Sequence, residues 1–249
     1  FRYEIPQIDH EKRLLKAERS SFKFPKTAIA WLQPMAIAKS GWEQTNPSYE
    51  EHYYQEIKVG SPEPTHTGWV YPALFKVGDT YALISESGLE PNHAASRLDP
   101  KSENAEYKIA YAGIKETIMN KELETVVEGD FYSPWRLIAV GTLGTIVEST
   151  LGLDLVDPTI QIDQSFIKPG KSSWSWINSK DEYIIYDEQK KYIDFAAEMN
   201  WQYCLIDVNW DRNIGYEKIQ ELANYAKEKN VGLILWYNSA GDWNTVGYT

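Results

Sequence analysis

Tyr203-Cys204-Leu205-Ile206-Asp207 is a short apolar run ending in an acid, and its neighbours decide the architecture of the C-terminal third of the chain. Upstream lies Ser173-Trp174-Ser175-Trp176-Ile177, which reads as a strand; downstream lies Val231-Gly232-Leu233-Ile234-Leu235-Trp236, which reads as another. Between the first two runs, Asp187 is placed to cap a helix whose inward face is Ile193, Ala196, Ala197 and Met199, with Asn200 at its end. Between the second and third, Ile219, Leu222, Ala223 and Ala226 recur at i, i+3, i+4 and i+7, which predicts a helix from about Tyr216 to Lys229. Lys227 and Lys229 suit its negative C-terminal end, and Asn230 stops it. The order is β-α-β-α-β, with strands nearly apolar throughout, as parallel strands covered on both faces require. A doubly wound sheet and a (β/α)8 barrel both satisfy this pattern. A closed barrel takes eight strands over roughly 250 residues, whereas 79 residues follow Gly170. The expectation is therefore an α/β region holding the first three βα units of a longer polypeptide.

Working outward, the residues from Phe1 to about Ala139 change period. Thr27–Leu32, Tyr53–Val59, Trp69–Phe75, Thr80–Glu86 and Trp135–Val140 are short runs rich in aromatic and β-branched residues. Pro25, Pro34, Asn46-Pro47, Ser61-Pro62-Glu63-Pro64 and Asp99-Pro100 separate them, and Val77-Gly78-Asp79-Thr80 has the form of a tight hairpin. An antiparallel β-sandwich is the expected result. Leu143, Ile146, Val147 and Leu151 then fall at helical spacing, and Asp157-Pro158 closes that element. The expected divisions are a β-sandwich over 1–157, a linker over 158–170 and the parallel α/β region over 171–249.

The balance of 25 Lys and Arg against 36 Asp and Glu gives a net charge of −11, which argues against a nucleic-acid binder, since that needs a basic face to displace counterions. No uninterrupted apolar run approaches the roughly 20 residues of a membrane-spanning helix. Cys204 has no partner for an internal disulfide and reads as a small buried hydrophobe. Aromatic residues make up 14% of the chain, with 10 Trp and 17 Tyr. Their flat faces suit the C–H faces of sugar rings, and equally suit an aromatic core.

Position separates the two. In parallel α/β folds functional groups gather at the carboxyl ends of strands. Trp174, Trp176, Trp210, Trp236 and Asn238 lie at or just after those ends, where a packing role alone would spread aromatics along the strands. These tryptophans are candidates for lining a sugar pocket, with Asp207 and Asn238 hydrogen-bonding hydroxyls. Asp207 follows an apolar strand, where burial is costly without partners; a ligand, a loop, a metal or the following turn would each supply one. One carboxylate does not make a glycosidase, which usually needs two. Glu86 ends Tyr81-Ala82-Leu83-Ile84-Ser85-Glu86 and reads as a solvated strand end or a hard oxygen ligand. His10, His52, His66 and His93 have no metal-ligand spacing, Gly141-Thr142-Leu143-Gly144-Thr145 lacks the phosphate-loop lysine, and there is no Gly-x-Ser-x-Gly elbow.

Taken in order, Phe1-Arg2-Tyr3, Tyr81 to Leu89, Ile167-Lys168-Pro169-Gly170-Lys171 leading into Ser173-Trp174-Ser175-Trp176, Tyr192 to Met199, and Gly232 to Ser239 resemble glycoside hydrolase family 97. The resemblance covers essentially the whole chain. It implies an N-terminal β-super-sandwich followed by a (β/α)8 barrel, and exo-acting α-glucosidase or α-galactosidase activity on oligosaccharides. It also implies a periplasmic or secreted setting in Bacteroidetes and a calcium ion near the site, with Glu86 as the ligand contributed by the sandwich. The family's catalytic acid and its nucleophile or base would lie beyond Thr249, so no catalytic residue is expected within this chain. Two other classes remain: a non-catalytic carbohydrate-binding protein, and a structural domain whose aromatic rim is buried against another chain.

Overall fold

The computed structural model describes residues 1–6, 11–37, 53–116, 125–158 and 161–237. The chain divides into two compact units, Phe1–Thr159 and Ile160–Thr249.

The first unit is built mostly of sheet. Its strands are β1 (Glu4–Ile5), β2 (Arg13–Leu15), β3 (Ser21–Lys23), β4 (Ile29–Pro34), β5 (Tyr54–Lys58), β6 (Trp69–Val77), β7 (Thr80–Ser87), β8 (Ser96–Leu98), β9 (Glu106–Tyr111), β10 (Thr125–Val127), β11 (Phe131–Tyr132) and β12 (Trp135–Gly141). The main sheet runs β12-β7-β6-β8-β9-β3, with β4 paired to β5 and β6, and two short ladders, β1-β11 and β2-β10, complete a sandwich-like unit. The expected hairpin is present: Val77 pairs with Thr80 across Gly78, whose φ of 59° is the left-handed conformation glycine adopts without steric cost. Alternation gives β4 its inward face, with Ala30, Leu32 and Pro34 buried and the intervening residues half-buried. Leu32 and Ala30 pack with Trp69, Ala73, Phe75, Ile84, Leu98 and Tyr107. The ring of Phe24 stacks on Phe75 at 3.9 Å. Pro72, which has no N–H to donate, sits where the β4–β6 register shifts between Trp31 and Gln33.

The helical spacing after Val140 forms two short helices, α1 (Leu143–Val147) and α2 (Leu151–Asp154). Thr142 caps α1 by accepting the Thr145 N–H.

Among its described residues the second unit holds three parallel strands, β13 (Ser172–Trp174), β14 (Tyr203–Ile206) and β15 (Gly232–Leu235), in that order. Four helices accompany them: α3 (Trp176–Ser179), α4 (Tyr186–Glu198), α5 (Trp210–Asn213) and α6 (Tyr216–Glu228). Ile193 and Ala196 of α4, Cys204 and Ile206 of β14, and Ile219, Leu222 and Ala226 of α6 form its core. Tyr203, on the other face of β14, lies against two glycines. A Cβ at Gly170 would come within 2.7 Å of its ring and one at Gly232 within 3.0 Å, and its hydroxyl donates to the Lys168 carbonyl at 2.5 Å.

Several expectations need correction. The strand read over Ser173–Ile177 stops at Trp174, because Trp176 and Ile177 belong to α3. Asp187 lies inside the first turn of α4, whose cap position is Ile185. Met199 is 49% exposed, since it follows the last helical residue instead of continuing the inward stripe. Asn200 and Asn230 fulfil their role as stop signals, both in the left-handed conformation that asparagine tolerates. A (β/α)8 closure lies outside what three strands describe.

Candidate functional site

The carboxyl ends of β13, β14 and β15 bring the strongest polar and aromatic groups of the second unit together. The Ser-Trp-Ser-Trp run places its residues by alternation. Ser173 and Ser175 are buried, at 1% and 0% exposure, while Trp174 and Trp176 are half-buried. Ser173 donates to the Tyr192 carbonyl of α4, and Ser175 donates to the buried Gln189 side chain, whose amide in turn donates to the Tyr183 carbonyl. The serines thus fasten the run to α4, and the tryptophans are left to stack on one another, with ring centres 5.4 Å apart and planes 16° apart.

Asp207 is 1% exposed and both its oxygens are used. Oδ2 accepts the Trp174 indole N–H at 2.6 Å, and Oδ1 accepts the Val208 backbone N–H at 2.6 Å. Burial pushes its carboxyl above the ordinary range, against the lowering effect of those two donors, and the Asp181 charge adds to the rise. Asp207 therefore holds Trp174 in place. Trp176 donates its indole N–H to Asp181 at 2.9 Å and carries the Lys180 ammonium 4.2 Å over its ring. Asn209 takes the left-handed conformation in the turn that opens α5.

The other sequence candidates are placed differently. Trp210 is 2% exposed and belongs to the core, edge-on to Tyr216 at 5.2 Å and tilted against Tyr237 at 5.1 Å. Its indole N–H meets no acceptor among the described residues. Trp236 is 45% exposed, next to Tyr237, whose hydroxyl shares a hydrogen bond with that of Tyr216. Asn238 lies outside the described residues. Asp181, Gln189 and Ser175 escaped the sequence reading; only the serine–tryptophan alternation hinted at one of them.

Glu86 belongs to the first unit and is tightly held. Its Oε1 accepts the Ser96 N–H at 2.8 Å; its Oε2 accepts the Ser96 hydroxyl at 2.8 Å and Arg136 Nη1 at 2.5 Å. Arg136, 1% exposed, also grips Glu18 through Nε and Nη2. Burial opposes the guanidinium charge, but the hydrogen bond and charge of Glu18, then the charge of Glu86, outweigh it and raise the Arg136 pKa. Tyr71, beside this triad, is pushed up to about 12 by burial. A carboxylate has about four lone-pair positions, so Oε2 is filled while Oε1 keeps one. Glu86 thus fits a calcium ion as a one-oxygen ligand and no more. Among the described residues no group of three His, Cys, Asp or Glu completes such a site.

A sheet-built unit leading into parallel βα units with aromatic strand ends defines a two-part architecture of the kind carbohydrate-active enzymes use. Residues 1–158 match the family described as glycosyl-hydrolase 97 N-terminal, and the chain belongs to that family. It is 29% identical over 248 residues, 95% of its length, to a probable retaining alpha-galactosidase of Streptomyces bingchenggensis, of which it covers 35%. It is 34% identical over 119 residues to a retaining alpha-galactosidase of Bacteroides thetaiotaomicron, matching 41% of this chain and 18% of that protein. A solved beta-arabinopyranosidase superposes with a TM-score of 0.89 at 36% identity, over 99% of this chain and 40% of the other. A family 97 enzyme of a Pseudoalteromonas strain, solved with panose, shares the fold with a TM-score of 0.66 at 23% identity, over 93% of this chain and 37% of the other. The chain thus spans well under half the length of each of these four proteins. Among the described residues no helix is long and apolar enough to cross a membrane.

Proposed function

We propose that this chain is part of an exo-acting, retaining glycoside hydrolase that removes terminal α-galactosyl or β-arabinopyranosyl groups from oligosaccharides. The observation that carries this reading is the match across nearly the whole chain to both a probable retaining alpha-galactosidase and a beta-arabinopyranosidase. The two activities are chemically consistent, because a β-L-arabinopyranoside has the ring stereochemistry of an α-D-galactoside without the exocyclic hydroxymethyl group. This favours galacto-configured substrates over α-glucosides.

Within the chain, Trp174 offers an indole whose orientation is fixed at the nitrogen by Asp207 and on one side by Trp176. A sugar ring presents its C–H face to such a surface. Asp207 acts through Trp174 as a positioning residue: each oxygen already accepts one N–H, and at 1% exposure the carboxylate is screened from a sugar hydroxyl. The two carboxylates of a retaining glycosidase are assigned to the part of the protein outside this chain. Glu86 Oε1 would supply one oxygen to calcium, and the ion would polarise the substrate or a carboxylate there.

The test is hydrolysis of p-nitrophenyl α-galactoside, β-L-arabinopyranoside and α-glucoside by the complete protein, with NMR of the first-formed anomer, with and without a calcium chelator. Galactoside and arabinopyranoside turnover with retention, lost on chelation, is the expected result. Faster glucoside turnover overturns the substrate assignment; binding without turnover of any of the three makes the protein a non-catalytic sugar binder.

A further inference from the structure

The first unit holds a cavity of its own. It measures about 630 Å³, within the range of roughly 300–1,000 Å³ typical of ligand pockets, and every residue lining it belongs to the first unit. Gly88 makes room for it: with φ at 70°, the chain after β7 turns so closely past Trp135 that a Cβ would lie 3.3 Å from the indole and 3.7 Å from Val156. The Arg2 guanidinium is held between two rings, 4.4 Å from the Tyr132 centroid and 4.8 Å from that of Trp135. Its Nε–H is shielded from solvent and meets no acceptor among the described residues. Its Nη2 lies 3.5 Å from Glu4, and Glu90, Asp130 and Asp157 line the same cavity.

These groups select a ligand chemistry. Three carboxylates against one guanidinium repel an anion. A cation would meet an arginine already fixed in the wall by two aromatic rings. An apolar ligand would strip water from four charges without replacing its hydrogen bonds. A neutral polyhydroxylated ligand escapes all three penalties, because each hydroxyl donates to a carboxylate or accepts from arginine, and its C–H faces pack on Tyr132 and Trp135. We infer that this cavity is a binding site for a neutral oligosaccharide, carried by the sandwich-like unit and built without any residue of the Trp174–Asp207 site. It stands whether or not the protein hydrolyses α-galactosides.

The experiment is calorimetric titration of the protein with raffinose and with panose, for wild type, Tyr132→Ala, Asp157→Asn and Trp174→Phe, with melting temperature measured for each. Tyr132 is 43% exposed and Asp157 is exposed, so both variants should fold as the wild type does. Loss of one ring contact or one charge-assisted hydrogen bond is expected to weaken binding about tenfold in Tyr132→Ala and in Asp157→Asn. Trp174→Phe should retain this binding event. The inference is overturned if neither sugar binds to the wild type, if both sandwich variants bind as it does, or if an oligogalacturonate binds more tightly than the neutral sugars. Hydrolysis is read separately, so failure here and failure of the glycosidase assignment are distinguishable.

Discussion

Each unit of the chain buries a carboxylate beside its candidate site, and the two solve the cost of burial in opposite ways. Glu86 is neutralised by charge: Arg136 binds it and Glu18 together, in a network whose members are 50 and 118 residues from the arginine. Asp207 is held instead by an indole N–H and a backbone N–H. The first arrangement ties segments distant in sequence together through one guanidinium. The second leaves the acid with a raised pKa and spends its hydrogen bonds on orienting one aromatic ring. The sandwich carboxylate is thus a structural anchor with one spare lone pair, whereas the strand-end carboxylate is a clamp.

The largest effect that would break this comparison is expected from Arg136→Met. Removing the cation leaves two buried carboxylates unpaired, which should cost about 3–5 kcal/mol of stability in denaturant unfolding. A loss below about 1 kcal/mol would mean the acids are better hydrated than their burial indicates. Next is Asp207→Ala, which strands the Trp174 N–H and should cost about 1–3 kcal/mol. Tryptophan emission should shift to the red as the indole is released, and an unchanged spectrum would deny the clamp.

The pH dependence sharpens the contrast. The folded-state pKa of Asp207 lies above its ordinary value of 3.8, so the folded form binds more protons between the two. Stability contributed by this group is therefore greatest below the ordinary value and declines as pH rises toward the folded pKa. Asp207→Asn should flatten that segment of the stability profile, and a profile identical to wild type would locate the slope elsewhere. The smallest effect concerns Cys204, which is fully buried and whose thiol burial pushes up to about 11. Ellman's reagent should label it only as the second unit unfolds, so that labelling and the unfolding of that unit share one midpoint. Rapid labelling of the native protein would contradict the core described for β14.

Much of the fold was legible because period alone carries it. Ile219, Leu222 and Ala226 fall on one face of α6 as their spacing requires, and the Gly78 hairpin follows from turn chemistry. Local signals failed where an element changed type within a residue or two. Trp176 continues a strand-like alternation, yet it begins α3, because Ser175 already has helical backbone angles. The candidate site was less legible for a different reason. Trp210 stands just past a strand end like the other tryptophans, but a four-residue helix turns it into the core, and position along the chain does not report which way a short helix faces. Asp207 was singled out from the cost of burying it. Its partner lies 33 residues upstream, and nothing local distinguishes an indole clamp from a sugar contact. Arg136, the second residue of an ordinary strand, gave no sign of holding Glu18 and Glu86.

The ring of Tyr203, seated between Gly170 and Gly232, constrains how this part of the chain can change over generations. A Cβ at Gly170 would collide with that ring and with Gln202 at 2.7 Å, whereas one at Gly232 would press on the ring at 3.0 Å, which the ring must relieve by a small shift. The three positions therefore cannot drift independently. A smaller residue at 203 relieves the contact at 232 at the expense of the hydroxyl's bond to Lys168, while at 170 Gln202 has to give as well. A lineage that keeps the tyrosine keeps the glycine at 170 with it, and admits at 232 only what the ring can yield to.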